Sequence, residues 1–212
     1  MRAEVEELTV DGHRVVPLGP DTWEAFAGLA ERHNGVWGGC WCTWFHLHPD
    51  PPERSELGNR EFKHRRVLEG RAHAALVLDG PGPDAEAIAW AEYGPVAELA
   101  NIHHRKQWEA ETDLVPDFRI TCLFVDRRFR RRGMAAVAVR GALALIARAG
   151  GGTVEAYPHD LEPGKRPSSS FLYNATRTMY ARLGFDYLRP KGKGNCVMRT
   201  VVPAASAAQS PR

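Results

Sequence analysis

Apolar and polar positions alternate over residues 5–10 and 14–18, on either side of Asp11-Gly12, which predicts two short strands joined by a tight turn. Trp23, Phe26, Ala27 and Ala30 then recur at helical spacing. That helix starts at Asp21 with Glu24 three residues on, a capping-box-like pair, and stops at Asn34-Gly35. Four large aromatics follow within nine residues, Trp37, Trp41, Trp44 and Phe45, and then Pro49, Pro51 and Pro52. Residues 55–70 form a charged helical pattern with Leu57, Phe62, Val67 and Leu68 as its few apolar anchors, which suits a surface helix. Residues 74–78 and 87–93 read as strands of a hairpin around Asp79-Gly80-Pro81-Gly82-Pro83-Asp84.

Beyond Gly94-Pro95, residues 96–111 turn helical and polar, carrying His103, His104, Arg105 and Lys106, as an exposed helix or lid would. Residues 119–125 are a strongly apolar strand, and 134–149 a helix apolar on most faces that ends at Gly150-Gly151-Gly152. A strand at 153–157 and a loop at 158–167 with Lys165 and Arg166 come next. Ser168 to Ser170 offer caps for a helix through Leu183, closed by Gly184, and strands at 185–188 and 197–201 complete the pattern. The Ala- and Ser-rich stretch 203–212 reads as a disordered tail. Strands and helices in this order make an α/β protein with a mixed sheet.

Composition narrows the function. The 212 residues fit one compact domain, and 28 Lys+Arg against 26 Asp+Glu leave a formal net charge of only +2, so no global field calls for nucleic acid or an anionic membrane. The longest apolar run, 134–147, is broken by Arg140 and falls short of the roughly 20 residues of a membrane span. The acidic first residues lack a secretory apolar stretch, which points to a cytoplasmic protein with reduced thiols. Cys122 and Cys196 then read as buried small apolar residues. Cys40, Cys42, His46 and His48 form a C-x-C-x3-H-x-H cluster, but such tight spacing hinders convergence on one tetrahedral ion, so no metal is expected. The aromatics around the two cysteines could form a core wall or line a ligand cavity.

The stretch from Leu123 to Ala135 carries the chemistry. A strand leads through a short turn into a helix, whose first amides are unpaired and lie at the positive end of the dipole. Gly133 lets an anion approach the backbone, and Arg127, Arg128, Arg130, Arg131 and Arg132 add donors suited to phosphate. The alternatives are a solvated basic loop or a nucleic-acid contact. No G-x-x-x-x-G-K-[ST] or G-x-G-x-x-G is present.

Arg130-Arg131-Arg132-Gly133-Met134-Ala135 resembles the R/Q-x-x-G-x-G/A signature of the GNAT superfamily of acyl-CoA N-acyltransferases, in its place between strand and helix. Asn174 and Met179-Tyr180-Ala181-Arg182-Leu183-Gly184-Phe185 resemble the family's second motif, and the likeness spans residues 120–188. The Cys40-Trp41-Cys42 segment is similar to one in actinobacterial-type members. The resemblance implies a GNAT-like α/β fold, a mixed and splayed central sheet flanked by helices, in one domain over 1–202. An aromatic loop and helix at 36–70 and an insertion at 95–117 would lie near the acceptor site.

It implies acetyl-CoA as acyl donor, between the strands at 119–125 and 153–157. Leu123, Phe124 and Val125 would hold the pantetheine arm and thioester, Arg130, Arg131, Arg132, Gly133, Met134 and Ala135 the pyrophosphate, and Asn174 the arm. The implied activity is direct N-acetyl transfer to a primary amine, the acyltransferase class 2.3.1. The alternative is a catalytically silent acyl-CoA-binding or sensing protein.

An alkylamine of pKa near 10.4 is neutral in about one molecule in 2,500 at pH 7, so a base must take its proton. Glu155 is the first candidate, with Glu92, His103 and His104 in reserve. Tyr180 is the candidate acid for the leaving thiolate. Trp41, Trp44 and Glu92 are candidate acceptor-binding residues. The expected partner is a small-molecule amine, with no nucleic acid or membrane and with a homodimer left open.

Overall fold

The computed structural model describes residues 7–48, 56–82, 85–161 and 172–206. Eight strands form one sheet: β1 (Leu8–Val10), β2 (His13–Pro17), β3 (His73–Leu78), β4 (Ala87–Pro95), β5 (Phe118–Val125), β6 (Gly152–Ala156), β7 (Asp186–Lys191) and β8 (Asn195–Val202). Their spatial order is β1-β2-β3-β4-β5-β6-β8-β7. The pair β5–β6 is parallel and the other neighbours are antiparallel. The helices are α1 (Trp23–Glu31), α2 (Glu56–Leu68), α3 (Arg105–Glu111), α4 (Met134–Arg148) and α5 (Arg177–Arg182). The sheet is therefore mixed and flanked by helices, as the sequence predicts.

Each face of the sheet buries its own core. The apolar side of α4, with Val137, Ala138, Ala142 and Ile146, packs on Val15, Ala75, Ala89 and Leu123. Contact is close enough that a Cβ on Gly141 would lie 2.7 Å from the Val15 side chain. On the other face α1 and the aromatic loop cover Val16, Leu76, Trp90, Cys122 and Phe124. A bulge decides which residues of β5 face which side. Cys122 pairs with Glu92 and Ile120 with Tyr93, so Thr121 is an extra residue on β5. The insertion shifts the alternation by one and turns Cys122 toward the aromatic loop while Ile120 and Leu123 both face α4.

The parallel strands touch only at one end. Phe118, Arg119 and Ile120 pair with Val154, Glu155 and Ala156, and from Thr121 onward β5 has no β6 partner. The gap is partly filled by the chain before α5: the Leu123 N–H donates to the Tyr173 carbonyl at 2.7 Å. This is the expected splay, with a segment of the protein's own backbone in it.

Several elements are shorter than their patterns predict. The helix expected over 96–111 is reduced to α3, because Asn101 is tied to the aromatic loop, its N–H donating to the Phe45 carbonyl at 2.9 Å and its Nδ2 to the His46 carbonyl at 2.9 Å. The helix expected from Ser168 begins only at Arg177, capped by Thr176, since Ala175 has a left-handed φ of 52° that a continuous helix cannot hold. At α1 it is Thr22, not Asp21, that closes the turn: its hydroxyl accepts the Gly19 N–H at 2.8 Å and donates to the Pro17 carbonyl at 2.7 Å. Residues 5 and 6, the prolines at 49–52, Ser55, the Leu57 side chain, Pro83, Asp84, Lys165, Arg166, Ser168 to Ser170 and the tail from 207 lie outside the described residues. Among the described residues no helix is long and apolar enough to cross a membrane.

Candidate active site

The strand-turn-helix from Leu123 to Ala135 builds one wall of a groove. Arg131 and Gly133 both take left-handed φ angles, 61° and 82°, which swing the chain from β5 into α4 and leave the first amides of α4 facing outward. The space around a Cβ at Gly133 is open to 4 Å. A side chain there would meet no protein atom within that distance, at the cost of a left-handed backbone that only glycine adopts freely. Leu123, Phe124, Val125, Arg127, Arg130, Arg131 and Ala135 line a cavity of about 570 Å³ with Trp37, Leu172 and Ala175. A second cavity of about 430 Å³ continues it past Gly133 and Met134 to Thr176 and Met179.

The arginines divide their work. Arg128 is committed to Asp126 at 2.8 Å and Glu86 at 3.1 Å, which with burial opposing still holds the Asp126 carboxyl far below the usual range. Arg132 lies over the Phe129 ring at 5.6 Å and outside both cavities. Arg127 and Arg131 have no ion-pair partner among the described residues. Asn174, 4% exposed, donates Nδ2 to the Tyr157 carbonyl at 3.1 Å, leaving Oδ1 buried with no partner among the described residues. A buried orphan acceptor costs about 1–3 kcal/mol until a donor reaches it. It stands between Tyr173 and Ala175, which border the cavities, where the amide of a bound arm could satisfy it.

At Trp37 the groove meets a third cavity of about 240 Å³, lined by Trp37, Cys40, Cys42, Trp44, Phe45, His103, Cys122 and Tyr173. The loop that supplies most of this wall is held in an unusual backbone conformation. Asn34, Val36, Trp37, Trp41 and Cys42 all have φ between 46° and 52°, and the intervening Gly35, Gly38 and Gly39 are also left-handed. A left-handed residue with a Cβ costs about 1–2 kcal/mol, and such strain gathers at functional sites. Here it is locked by a disulfide from Cys42 to Cys122, with Cα atoms 6.3 Å apart. That corrects the expectation of reduced thiols throughout: sequence spacing of 80 residues gives no hint of the pairing, which depends on the β5 bulge.

The same loop pulls apart the Cys/His cluster of the sequence. Cys42 is bridged, Cys40 is a half-buried thiol, His46 turns to Glu92 at 3.2 Å, and His48 bonds the Thr43 carbonyl at 2.9 Å and stacks on Phe62. Among the described residues no three His, Cys, Asp or Glu side chains gather at a metal-binding spacing.

Trp44 lines the third cavity as expected, stacked on His103 at 4.0 Å. Trp41 does not: it is 1% exposed and packs in the core between Trp23 and Phe26, under the Arg60 guanidinium. Glu92 is not accessible to a ligand either. Its carboxylate receives Lys63 Nζ at 2.5 Å, His46 Nε2 at 3.2 Å and the Thr121 hydroxyl at 2.8 Å, in a fully buried cluster. Burial alone would raise its pKa, but Lys63 and His46 outweigh that and hold it below the ordinary value. Burial and the Lys63 charge lower the pKa of His46.

Glu155 is at the paired end of β5 and β6, away from all three cavities. Trp108 Nε1 donates to it at 2.8 Å, the Tyr157 hydroxyl at 2.9 Å and Arg199 Nη2 at 2.8 Å. A carboxylate with its lone pairs so occupied and no opening to the groove organises α3, β6 and β8; it is misplaced for a base. Tyr180 is 1% exposed, edge-on to Phe185, and burial raises its hydroxyl pKa.

Two residues outside the first-choice set have the better positions. His103 lines the third cavity, and burial, helped by Lys191 and His104, lowers its pKa and keeps it neutral at pH 7. Lys191 donates to the His103 carbonyl and holds that segment in place. Trp37 borders the first and third cavities, and its indole N–H is buried with no partner among the described residues. The sequence marks Trp37 only as one of four aromatics and His103 only as a reserve base, because their placement follows from how the 34–46 loop and the 95–117 segment fold over β5.

No protein-family model and no curated protein matches the sequence. Solved structures do match. A ribosomal-protein-S5-alanine acetyltransferase from Vibrio fischeri superposes with a TM-score of 0.52 at 11% identity, over 93% of this chain and 97% of the other. A histone acetyltransferase HPA2 and related acetyltransferase from Corynebacterium glutamicum gives 0.50 at 16%, over 92% and 97%. A Bordetella pertussis protein assigned to the GNAT acetyltransferase family gives 0.50 at 16%, over 92% and 98%. At these identities the likeness establishes the fold, which is the GNAT fold.

Proposed function

We propose that this protein transfers an acetyl group from acetyl-CoA to a primary amine. The observation that carries the reading is the junction at Trp37, where a groove that starts at the Gly133 anion cradle meets an aromatic cavity. Donor and acceptor can thus approach one point of the splay from two sides. Diphosphate of the donor is held by the amides of Met134 and Ala135 and by Arg131, the arm runs along Leu123–Val125, and Asn174 Oδ1 accepts one of its amide protons. For the arm to use the Leu123 N–H, the Tyr173 carbonyl has to give it up.

The acceptor enters through the third cavity, whose described lining is mostly aromatic and suits an amine carried on an apolar body. His103, neutral near pH 7, takes the amine proton. The indole N–H of Trp37 donates to the oxyanion as the tetrahedral intermediate forms. Tyr180 is proposed to protonate the departing thiolate. A phenol at about 10 and a thiol at about 8.5 differ by roughly 2 kcal/mol in water, and burial raises both.

Calorimetric titration with acetyl-CoA, beside Gly133→Glu, tests the donor site. Two charge-assisted bonds of about 1.5–3 kcal/mol each are at stake, so affinity should fall at least about hundredfold in the variant. Absence of acetyl-CoA binding by the wild type would overturn the reading.

A further inference from the structure

We propose that the Cys42–Cys122 disulfide is a thiol–disulfide exchange site for a pantetheine-type thiol bound in the neighbouring groove. This is a second reaction of the same cleft, and it rests on the CoA reading above. The disulfide forms part of the wall of the 240 Å³ cavity, and a third sulfur, the free thiol of Cys40, lies in the same wall. Cys122 immediately precedes Leu123, the first residue of β5 to line the groove, and Trp37 is common to both cavities. A thiol anchored by phosphates at Gly133 and extended along β5 therefore ends beside Cys122. Cys42 and Cys122 are 1% and 2% exposed, so a thiol from bulk solvent has no approach except through the cavities.

In the exchange, the thiolate of the bound ligand attacks Cys122 Sγ. A ligand S–Sγ bond forms, the Cys42–Cys122 bond breaks, and the electron pair leaves on Cys42 Sγ, which takes up the proton the ligand thiol has lost. One disulfide becomes another, so no outside oxidant or reductant is consumed. About 3% of a thiol with pKa near 8.5 is ionised at pH 7, and that fraction is the attacking species. Acetyl transfer itself produces a free CoA thiol at this place, so the product of the first reaction is the reactant of the second.

The test uses the full chain, purified without reductant, with CoA as the probe. After acid quenching and alkylation in denaturant, the untreated protein should show two alkylatable thiols, Cys40 and Cys196. With CoA it should gain one CoA per chain, reversed by dithiothreitol and mapped to Cys122, and a third alkylatable thiol at Cys42. Glutathione, which lacks the phosphate anchor, should react at least about tenfold more slowly at equal concentration. Acetyl-CoA should compete, and Cys42→Ser should form no adduct with CoA. Four alkylatable thiols before CoA, equal rates for CoA and glutathione, or no adduct on a protein that calorimetry shows to bind CoA would each overturn the exchange. The last result leaves the acetyltransferase reading standing, whereas a failure of CoA to bind at all overturns both.

Discussion

Lys63, His46 and Glu92 make a buried charge cluster that joins α2, the end of the aromatic loop and β4, and the Thr121 hydroxyl brings the β5 bulge into it. Replacing Lys63 by Met leaves the Glu92 carboxylate buried with its cation removed. Breaking one partner out of a buried ion pair costs about 3–5 kcal/mol. For a chain of 212 residues each kcal/mol moves the midpoint by about 2–4 °C. Thermal unfolding of Lys63→Met should therefore occur about 6–20 °C lower near pH 8. The deficit should also depend on pH. In the wild type the His46 pKa is held below 6.5 by burial and by Lys63, so the unfolded chain binds more protons than the fold as pH drops below 6.5, and stability falls there. Without Lys63, His46 can carry a proton beside Glu92, this loss shrinks, and the gap between variant and wild type narrows as pH falls. Lys63→Met combined with Glu92→Leu should recover much of the loss, since an apolar replacement of the whole pair is often neutral. Denaturant and thermal unfolding measured across pH decide the matter. A deficit under about 1 kcal/mol, or one that is constant with pH, would refute a charged cluster organised by Lys63.

Trp37→Phe keeps the ring and removes the N–H, so kcat should fall about 10²–10³-fold with little change in the KM for acetyl-CoA; an unchanged kcat would remove Trp37 from oxyanion stabilisation. His103→Gln should lower kcat/KM by about 10²–10⁴. The wild-type rate should fall as pH drops through a His103 pKa below 6.5, because protonation occupies the acceptor nitrogen, and that acid limb should vanish in the variant. Tyr180→Phe should lower kcat by about 10²–10⁴ while calorimetric affinity for acetyl-CoA is retained, whereas a loss of stability alone would assign Tyr180 to packing.

What the sequence makes legible is local. The apolar run at 119–125, the arginine turn and the helix behind it are contiguous, so the groove wall from Leu123 to Ala135 can be read from pattern, and the mixed sheet follows from the order of elements. The acceptor side cannot be read this way. Cys42 meets Cys122 only because one extra residue, Thr121, flips the alternation of β5, and no composition or period announces a bulge. Glu155 and Glu92 look like catalytic carboxylates on strands, yet Trp108, Tyr157 and Arg199 occupy the first and Lys63 and His46 the second. Apart from Tyr157, two residues from Glu155, these partners come from elements distant in sequence. Trp37 and Trp41 have equal standing as aromatic wall residues, and only the left-handed course of residues 34–39 puts the first at the cavity junction and the second in the core.

The most direct test of acetyl transfer follows product rather than binding. The protein is incubated with isotopically labelled acetyl-CoA and a panel of primary amines on apolar and aromatic bodies, and both the amide and the released thiol are quantified by mass spectrometry. One labelled amide formed for each CoA released, with turnover abolished in Gly133→Glu, is the predicted result. A protein that binds acetyl-CoA yet yields no amide with any amine of the panel would contradict the account and identify a silent acyl-CoA-binding protein instead.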